Sequence, residues 1–387
     1  MANPIFANLP MTVFEEMSGL ARDLGAINLG QGFPDDPGPL VIREKAADAV
    51  LNGYNQYPPM AGLPELRQAV SAHYGRAQNL DLDWSREVTI TSGATEALAA
   101  AFLGLIEAGD EVICFQPLYD SYLPVIRQAG GVPKLIRLSP PDWRFTEAML
   151  EAAVTPKTRF LVLNNPVNPT GVVVSEADLG LLSAFCVRHD LIAICDEVWE
   201  QVVFGGASHR PLMGFPGMRD RCVKIGSAGK IFGLTGWKVG FICAAPDLTG
   251  AIARTHQFLT FTTAPNLQSA VAYGLDNSGD WFQSMPAQME RSRDRLASGL
   301  AAEGFVVLSG QGTYFLTIDL AASGIELDDR SFALHGVHNA GIASIPVSAL
   351  YEADPVTTIL RLCFAKKDET LDGGIERLAR ARDLIRT

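Results

Sequence analysis

The sequence has few positive charges relative to its negative ones. Lys and Arg total 31 against 43 Asp and Glu, which gives a formal net charge of −12. Because nucleic-acid-binding proteins present a basic surface, this balance argues against a nucleic-acid partner. No apolar run reaches the length of a membrane span, and residues 1–6 have neither a basic start nor a long apolar core. We therefore expect no membrane partner and no signal peptide.

Cysteine is scarce and dispersed. The six cysteines stand at positions 114, 186, 195, 222, 243 and 363, mostly inside apolar runs, and no two form a Cys-x-x-Cys pair. This pattern predicts small buried thiols in a reducing compartment, and hence a cytoplasmic protein. His335 and His338 are spaced like metal ligands, but no third ligand is near them in the sequence. We expect no metal site.

The chain contains alternating strand and helix patterns. Its 387 residues exceed what one hydrophobic core usually supports, so two domains are expected. Nearly continuous apolar strands between amphipathic helices predict an α/β fold with a mostly parallel central sheet covered by helices on both faces. We place this large domain at residues 43–282. A smaller α+β domain would combine part of residues 1–42, which also form an N-terminal arm, with residues 283–387.

An isolated lysine, Lys230, stands among small residues at the exit of the apolar run 222–226. A lysine set among glycines in such a place is poorly hydrated, so its ammonium form is disfavoured and its amine becomes a usable nucleophile. Such a lysine suits a Schiff base with an aldehyde cofactor. Ser227 and Lys238 are then placed to hold a phosphate group of that cofactor.

A tight turn containing Gly93, Ala94 and Thr95 follows a short apolar strand and precedes an apolar helix. The free backbone N–H groups of a helix start, together with the Thr95 hydroxyl, form a place where an anion can bind. An ordinary helix cap is the alternative. The presence of Ser227 and Lys238 favours phosphate binding.

Two charged residues stand in or directly after apolar strands. Asp196 follows the run 191–195, where a buried carboxylate needs a cationic partner such as a pyridinium N–H; an internal salt bridge is the alternative. Arg361 lies within the run 359–364, and its planar guanidinium matches a carboxylate in bidentate fashion. An internal ion pair with Asp or Glu is the alternative there.

The residues Ser-Ala-Gly-Lys at 227–230, followed by Gly-Trp-Lys-Val-Gly at 236–240, resemble the lysine motif of the class I, fold-type I aminotransferases, which use pyridoxal 5'-phosphate. The chain is most similar to the branch of kynurenine aminotransferase, glutamine transaminase K and methionine aminotransferase. The resemblance runs from about Phe14 to the C-terminus. It implies a homodimer that transfers an amino group from an L-amino acid to a 2-oxo acid, with Lys230 and Asp196 as catalytic residues.

The resemblance also implies roles for residues that no local pattern identifies. Asn168 lies in the loop Asn-Pro-Val-Asn-Pro at 165–169 and contacts the cofactor's ring oxygen and the substrate. Further site residues implied by the resemblance are Tyr119 stacked on the cofactor ring, Tyr57 reaching the neighbouring subunit's phosphate, Arg361 and Gly32 at the substrate carboxylate, and Phe14 and Phe261 lining the substrate site, the latter across the dimer interface.

Trp199 marks a departure from the family, in which most relatives have Asp-Glu-Val-Tyr where this chain has Asp-Glu-Val-Trp at 196–199. Indole carries one N–H donor, so we expect Trp199 to donate to the cofactor's ring oxygen; the alternative is that it only packs behind the ring.

The sequence defines the reaction and the substrate less narrowly than it defines the cofactor-binding residues. The branch implies a large uncharged substrate such as glutamine, methionine, an aromatic amino acid or kynurenine. A β-lyase acting on cysteine S-conjugates or cystathionine through the same site is the alternative reaction.

Overall fold

The computed structural model describes residues 3–308 and 310–386. The N-terminal segment contains α1 (Pro4–Ala7), α2 (Val13–Asp23) and β1 (Ile27–Asn28). The central part follows with α3 (Leu40–Asn52), α4 (Pro64–Gln78), α5 (Trp84–Glu87), β2 (Val88–Thr91), α6 (Ala94–Leu105), β3 (Glu111–Gln116), α7 (Tyr122–Gln128), β4 (Val132–Arg137), α8 (Glu147–Ala153), β5 (Thr158–Asn164), α9 (Glu176–Arg188), β6 (Ile192–Asp196), β7 (Cys222–Ser227), α10 (Ala228–Ile231), β8 (Gly240–Ala244), α11 (Pro246–Leu259) and α12 (Pro265–Asn277). The C-terminal part contains α13 (Gly279–Ala302), β9 (Val306–Leu308), β10 (Phe315–Asp319), α14 (Asp329–His335), β11 (Ile342–Ala343), β12 (Ile345–Pro346), β13 (Ile359–Cys363) and α15 (Asp368–Arg386).

Seven of the strands in the described residues form one sheet, in the order β2-β8-β7-β6-β5-β3-β4. β8 runs antiparallel to β2 and β7, whereas the other neighbours are parallel. The central strands are buried almost throughout, as their continuous apolar sequences require when helices cover both faces. The predicted α/β fold is confirmed.

The register of this sheet brings polar residues to one edge. Asn164, at the end of β5, pairs with Asp196 at the end of β6, and Asp196 pairs with Ile225 near the end of β7. Because parallel strands end at the same edge, the residues after β5, β6 and β7 gather there, as ligand sites in open α/β sheets do.

The smaller sheet has the order β12-β13-β10-β9, with antiparallel neighbours throughout, and it places Thr317 of β10 opposite Arg361 of β13. The N-terminal β1 pairs in parallel with β11, which joins the start of the chain to the C-terminal part. The predicted boundary at 282/283 falls inside the continuous helix α13. The division into 1–42, 43–282 and 283–387 stays a prediction.

None of the helices in the described residues combines the length and hydrophobicity that crossing a bilayer requires.

A buried charge cluster joins β7 to the turn after β6. Lys224 Nζ lies 2.6 Å from Glu197 Oε2 and 2.5 Å from Glu200 Oε2, and the Tyr74 hydroxyl donates to Glu200 Oε1 at 2.7 Å. Burial opposes the charge of Lys224, but the two carboxylates outweigh it and raise its pKa. The sequence analysis missed this lysine, which stands inside an otherwise apolar run. The cluster fixes the turn that follows Asp196.

His209 lies beside this cluster with its side chain 3% exposed and Nε2 3.7 Å from Glu197 Oε2. Neither ring nitrogen has a hydrogen-bond partner among the described residues. Burial, and secondarily the charge of Lys224, lowers the pKa of His209 to about 3.

We expect His209 to make folding stability depend on pH between 7 and 5. The unfolded chain protonates this histidine below a pKa of about 6.5, whereas the folded chain keeps it neutral down to a pKa of about 3. Stability contributed by the neutral ring is therefore complete above pH 7 and falls as the pH drops, by about 2 kcal/mol at pH 5. Denaturant unfolding at both pH values measures the loss.

His209→Gln should show a smaller loss between pH 7 and 5, while His338→Gln, at an exposed position, should behave like the parent. Equal pH dependence in parent and His209→Gln would mean that the folded protein also protonates His209.

Candidate active site

A cavity of ≈ 170 Å³ lies at the strand edge where β5, β6 and β7 end. Most of the predicted site residues line it. The lining comprises Gly93, Ala94, Thr95, Leu98, Tyr119, Asn164, Asn168, Asp196, Val198, Trp199, Ser227, Gly229, Lys230, Thr235 and Lys238.

Lys230 enters this cavity from α10, which follows β7 directly. Its Nζ lies 3.1 Å from the Tyr314 hydroxyl and 4.7 Å from the centre of the Trp199 ring. Burial lowers the pKa of Lys230 to about 8, the direction that its glycine-rich surroundings predicted. About a tenth of the amine is therefore neutral and nucleophilic at pH 7, far more than for an ordinary lysine.

Asp196, the last residue of β6, presents its carboxylate to the same cavity. The Tyr122 hydroxyl donates to Oδ2 at 2.5 Å, and Asn164 Nδ2 donates to the backbone oxygen of Asp196 at 2.9 Å. Burial raises the pKa of Asp196, against the lowering effect of the Tyr122 hydrogen bond. Within the described chain no cationic side chain forms an ion pair with Asp196, so the alternative of an internal salt bridge is not realised.

The start of α6 forms another corner of the cavity. Gly93 has a φ of +82°, and a Cβ atom added there would lie 3.1 Å from Lys238 Cε. Lys238 itself adopts a left-handed φ of 54°. This places its ammonium beside the N-terminal turn of α6, where the amides of Ala94 and Thr95 begin the helix. Ser227 is buried at the same corner.

Arg361 lies on β13, 1% exposed, and forms no ion pair with any described residue, although the charge of Asp120 is near enough to raise its pKa slightly. Its Nη1 donates to Asn168 Oδ1 at 2.9 Å and its Nη2 to the Gly30 carbonyl, whereas its Nε has no partner among the described residues. The guanidinium carbon lies 3.9 Å from the Phe315 ring centre and 5.0 Å from that of Phe14. Burial lowers the pKa of Arg361 to about 10. The alternative of an internal ion pair is therefore not realised.

Two loops lie beside the cavity, which Asn168 lines and which Gly32, Phe14 and Arg361 do not. Asn168 donates its backbone N–H to Asn164 Oδ1 at 2.8 Å, which fixes the loop after β5. At Gly32, an added Cβ would lie 2.8 Å from Phe315 Cζ, so the close approach requires glycine. Tyr119 lines the cavity and packs edge-on against Tyr122, with ring centres 5.7 Å apart.

Tyr57 and Phe261 lie elsewhere. Neither lines the cavity of its own chain. Both are exposed, Tyr57 to 80% and Phe261 to 39%, and their rings meet edge to face with centres 5.4 Å apart.

The structure adds functional candidates that sequence reasoning missed, namely Asn164, Tyr122 and Tyr314. Asn164 ends β5 as Asp196 ends β6, so its position after an apolar strand was an available signal. The two tyrosines stand in apolar stretches, and nothing in the sequence distinguishes their hydroxyls from those of other buried tyrosines.

Residues 25–378 match the family model described as aminotransferase class I and II. The chain belongs to this aminotransferase family. It is 42% identical over 379 residues to the probable N-succinyldiaminopimelate aminotransferase DapC of Mycobacterium tuberculosis, a match that covers 95% of each chain. It is also 39% identical over 371 residues to the methionine aminotransferase of Escherichia coli, with 96% of each covered.

Solved structures of aminotransferases superpose closely on the chain. The N-succinyldiaminopimelate aminotransferase from Mycobacterium tuberculosis gives a TM-score of 0.96 at 41% identity, covering 98% of this chain and 100% of that one. YbdL from Escherichia coli, a structure reported with a methionine aminotransferase function, gives 0.94 at 38% identity, covering 98% and 99%. The protein is thus an aminotransferase, and its family implies pyridoxal 5'-phosphate as the cofactor.

Replacing Gly93 tests whether the start of α6 binds an anion in this aminotransferase. We expect Gly93→Ala to weaken binding of inorganic phosphate to the cofactor-free protein about tenfold or more. The new Cβ displaces the Lys238 side chain, and a hydrogen bond to a charged group contributes roughly 1.5–3 kcal/mol. Isothermal titration measures the affinity.

Gly109→Ala is the matched control, because Gly109 also has a positive φ of +93° but has nothing within 4 Å of the added Cβ. Both variants should lose about 1–2 kcal/mol of stability from backbone strain. Equal phosphate affinity in the two variants would show that the anion binds elsewhere.

Proposed function

We propose that this aminotransferase binds pyridoxal 5'-phosphate in the cavity at the strand edge and transfers an amino group from an L-amino acid with a large, uncharged side chain to a 2-oxo acid. The observation that carries the proposal is the meeting of three buried charged groups, Lys230, Asp196 and Arg361, none of which forms an ion pair with a described residue. Each needs a ligand group that an amino acid and this cofactor together supply.

The buried residues fit the cofactor's polar ends. Asp196 faces the cavity as a carboxylate whose burial raises its pKa, so a cationic ring nitrogen is the partner it lacks. The start of α6 at Gly93, Ala94 and Thr95, with Ser227 and Lys238, offers amide, hydroxyl and ammonium donors to a phosphate.

The remaining ring contacts follow from the cavity walls. Tyr119, which lines the cavity, would stack on the ring, and Asn168 and Trp199 would donate to its ring oxygen. In this proposal the Trp199 indole N–H would take the place of the family's usual phenol. Lys230, the nucleophile of the cavity, would hold the cofactor through its aldehyde group.

The cofactor, when bound, supplies an electron sink for negative charge at the substrate's α-carbon. Asp196 keeps a proton on the ring nitrogen. Lys230 takes a proton from the α-carbon and would deliver it to the carbon that carries the cofactor's aldehyde, a role that suits an amine whose pKa is about 8. Arg361 orients the substrate by its carboxylate, and the unpartnered Nε adds a donor for that anion.

The substrate class follows from charge. The cations that line the cavity, Lys230 and Lys238, are assigned to the cofactor, and Arg361 to the α-carboxylate. Around Arg361 the aromatic rings of Phe14 and Phe315 offer apolar surface. This favours an uncharged side chain near the α-carbon. It accommodates methionine, glutamine, aromatic amino acids and kynurenine. N-succinyldiaminopimelate, which the name of one relative adds, has carboxylates in its side chain and lies outside this class.

The proposed enzyme is a homodimer whose subunits share their sites. Tyr57 and Phe261 are exposed on one surface where Thr262 Oγ1 donates to the Pro59 carbonyl, and the neighbouring Phe258 is 86% exposed. Exposed aromatic clusters favour a protein interface. Gly32 and Phe14 complete the substrate wall from the same chain.

A cytoplasmic location accords with the free, buried state of the cysteines.

Incubating the purified protein with pyridoxal phosphate, single amino acids and 2-oxoglutarate tests the reaction. We expect glutamate to form with methionine, glutamine, aromatic amino acids or kynurenine, and turnover to fall by several orders of magnitude in Lys230→Ala. A clear preference for N-succinyldiaminopimelate, whose side chain is anionic, would contradict the uncharged substrate class. Lys157→Ala, at an exposed lysine, should retain turnover. Failure of every amino acid to yield glutamate, or release of pyruvate from a β-substituted substrate as the main reaction, would overturn transamination.

A mixed-dimer experiment tests the shared site. Tyr57→Ala and Lys230→Ala proteins, each nearly inactive alone, are unfolded and refolded together. If Tyr57 serves the neighbouring subunit, half of the dimers are mixed and each has one intact site, so about a quarter of the parent activity returns. No recovery would mean that Tyr57 serves its own chain.

A further inference from the structure

Tyr314 occupies a position that none of the roles above uses. It is 2% exposed and stands just before β10, with its ring edge-on to Trp199 at a centre distance of 4.4 Å. Its hydroxyl oxygen lies 3.1 Å from Lys230 Nζ and 2.5 Å from the Gly32 carbonyl oxygen. The hydroxyl thus bridges the lysine and the loop that carries Gly32.

The direction of these two hydrogen bonds is fixed by chemistry. A carbonyl oxygen only accepts, so the single phenolic proton of Tyr314 is donated to Gly32. The phenolic oxygen therefore faces Lys230 with lone pairs alone, and Lys230 must be the donor. A neutral amine that donates one N–H to Tyr314 keeps its own lone pair free of that contact.

We propose that Tyr314 is a positioning residue for Lys230: it accepts one N–H of the lysine while Gly32 holds the phenolic proton, so that the lysine lone pair faces the cavity. The inference deepens the proposed function, because the lone pair is what takes the proton from the substrate's α-carbon. In this arrangement Tyr314 itself donates no proton to the substrate.

The pKa of Lys230 depends on the charges around it and on the hydrogen bond to the Tyr314 hydroxyl. Burial lowers the pKa of the lysine most strongly, Cys363 and Asp196 raise it, and Arg361 and Lys238 lower it. The Trp199 ring face also favours the ammonium form. The Tyr314 oxygen accepts a stronger hydrogen bond from an ammonium than from an amine. Tyr314→Phe therefore removes stabilisation from the charged form and shifts the pKa of Lys230 downward by about one unit.

The test titrates Lys230 in the full chain freed of cofactor. Cyanate carbamylates neutral amines, and peptide mass spectrometry follows the modification of Lys230 across pH. With a midpoint near pH 8 in the parent, a downward shift of about one unit makes Tyr314→Phe react about fivefold faster at pH 7. Transamination by the loaded variant should nevertheless be slower, because the lone pair has lost its orientation.

Tyr351→Phe is the matched control, since Tyr351 also donates a phenolic proton to a backbone carbonyl, that of Leu138 at 2.8 Å, away from the cavity. In Tyr351→Phe, the pH midpoint for carbamylation of Lys230 should equal that of the parent. The pH dependence of the rate at which each cofactor-free protein binds pyridoxal phosphate gives a second measure of the same amine.

An unchanged midpoint in Tyr314→Phe, with or without a loss of activity, overturns the proposal and leaves Tyr314 as a tether for the Gly32 loop alone. That result differs from failure of the proposed function, in which the parent neither binds the cofactor nor transaminates while its Lys230 still titrates.

Discussion

The arrangement of the active site depends on the cost of burying charge without an opposite charge in direct contact. Lys230, Asp196 and Arg361 are held in one region by neutral partners: a phenol at the lysine, another phenol at the aspartate, and an amide and a carbonyl at the arginine. Neutral partners satisfy hydrogen bonds but leave most of the electrostatic cost in place. The lowered pKa values of Lys230 and Arg361 and the raised pKa of Asp196 express that cost. A ligand with complementary charges relieves it, which couples binding to the protonation states that the chemistry requires.

The charge cluster around Lys224 shows the opposite arrangement, a few residues away. There the carboxylates of Glu197 and Glu200 contact the ammonium directly, and the pKa of the lysine rises. Lys224 and Lys230 are six positions apart, yet their surroundings shift their pKa values in opposite directions. The paired lysine stabilises the turn, whereas the unpaired one stays reactive.

Much of this organisation was predictable from the sequence, because strands with continuous apolar residues identify the parallel sheet, and polar residues directly after them identify its functional edge. Lys230 and Asp196 were found this way, and Arg361 by its isolation within an apolar strand. Tyr122, Tyr314 and Lys224 were not, because their importance lies in contacts with residues distant in the sequence. Local patterns do not encode which hydroxyl meets which charge. The continuous helix α13 likewise obscures the domain boundary predicted within it.

The contact between Arg361 and the Gly30 carbonyl joins positions 331 residues apart in the chain. β13 also binds this early segment through the Cys363 amide, which donates to the Leu29 carbonyl at 2.7 Å. During synthesis, the segment around Gly30 leaves the ribosome long before β13 exists. The strands of the large sheet, within residues 88–244, also precede β13 in the chain, so the carboxylate-binding part of the site cannot be complete until β13 has been synthesised. A nascent chain can therefore bury its reactive lysine before it has a complete means of holding an amino acid.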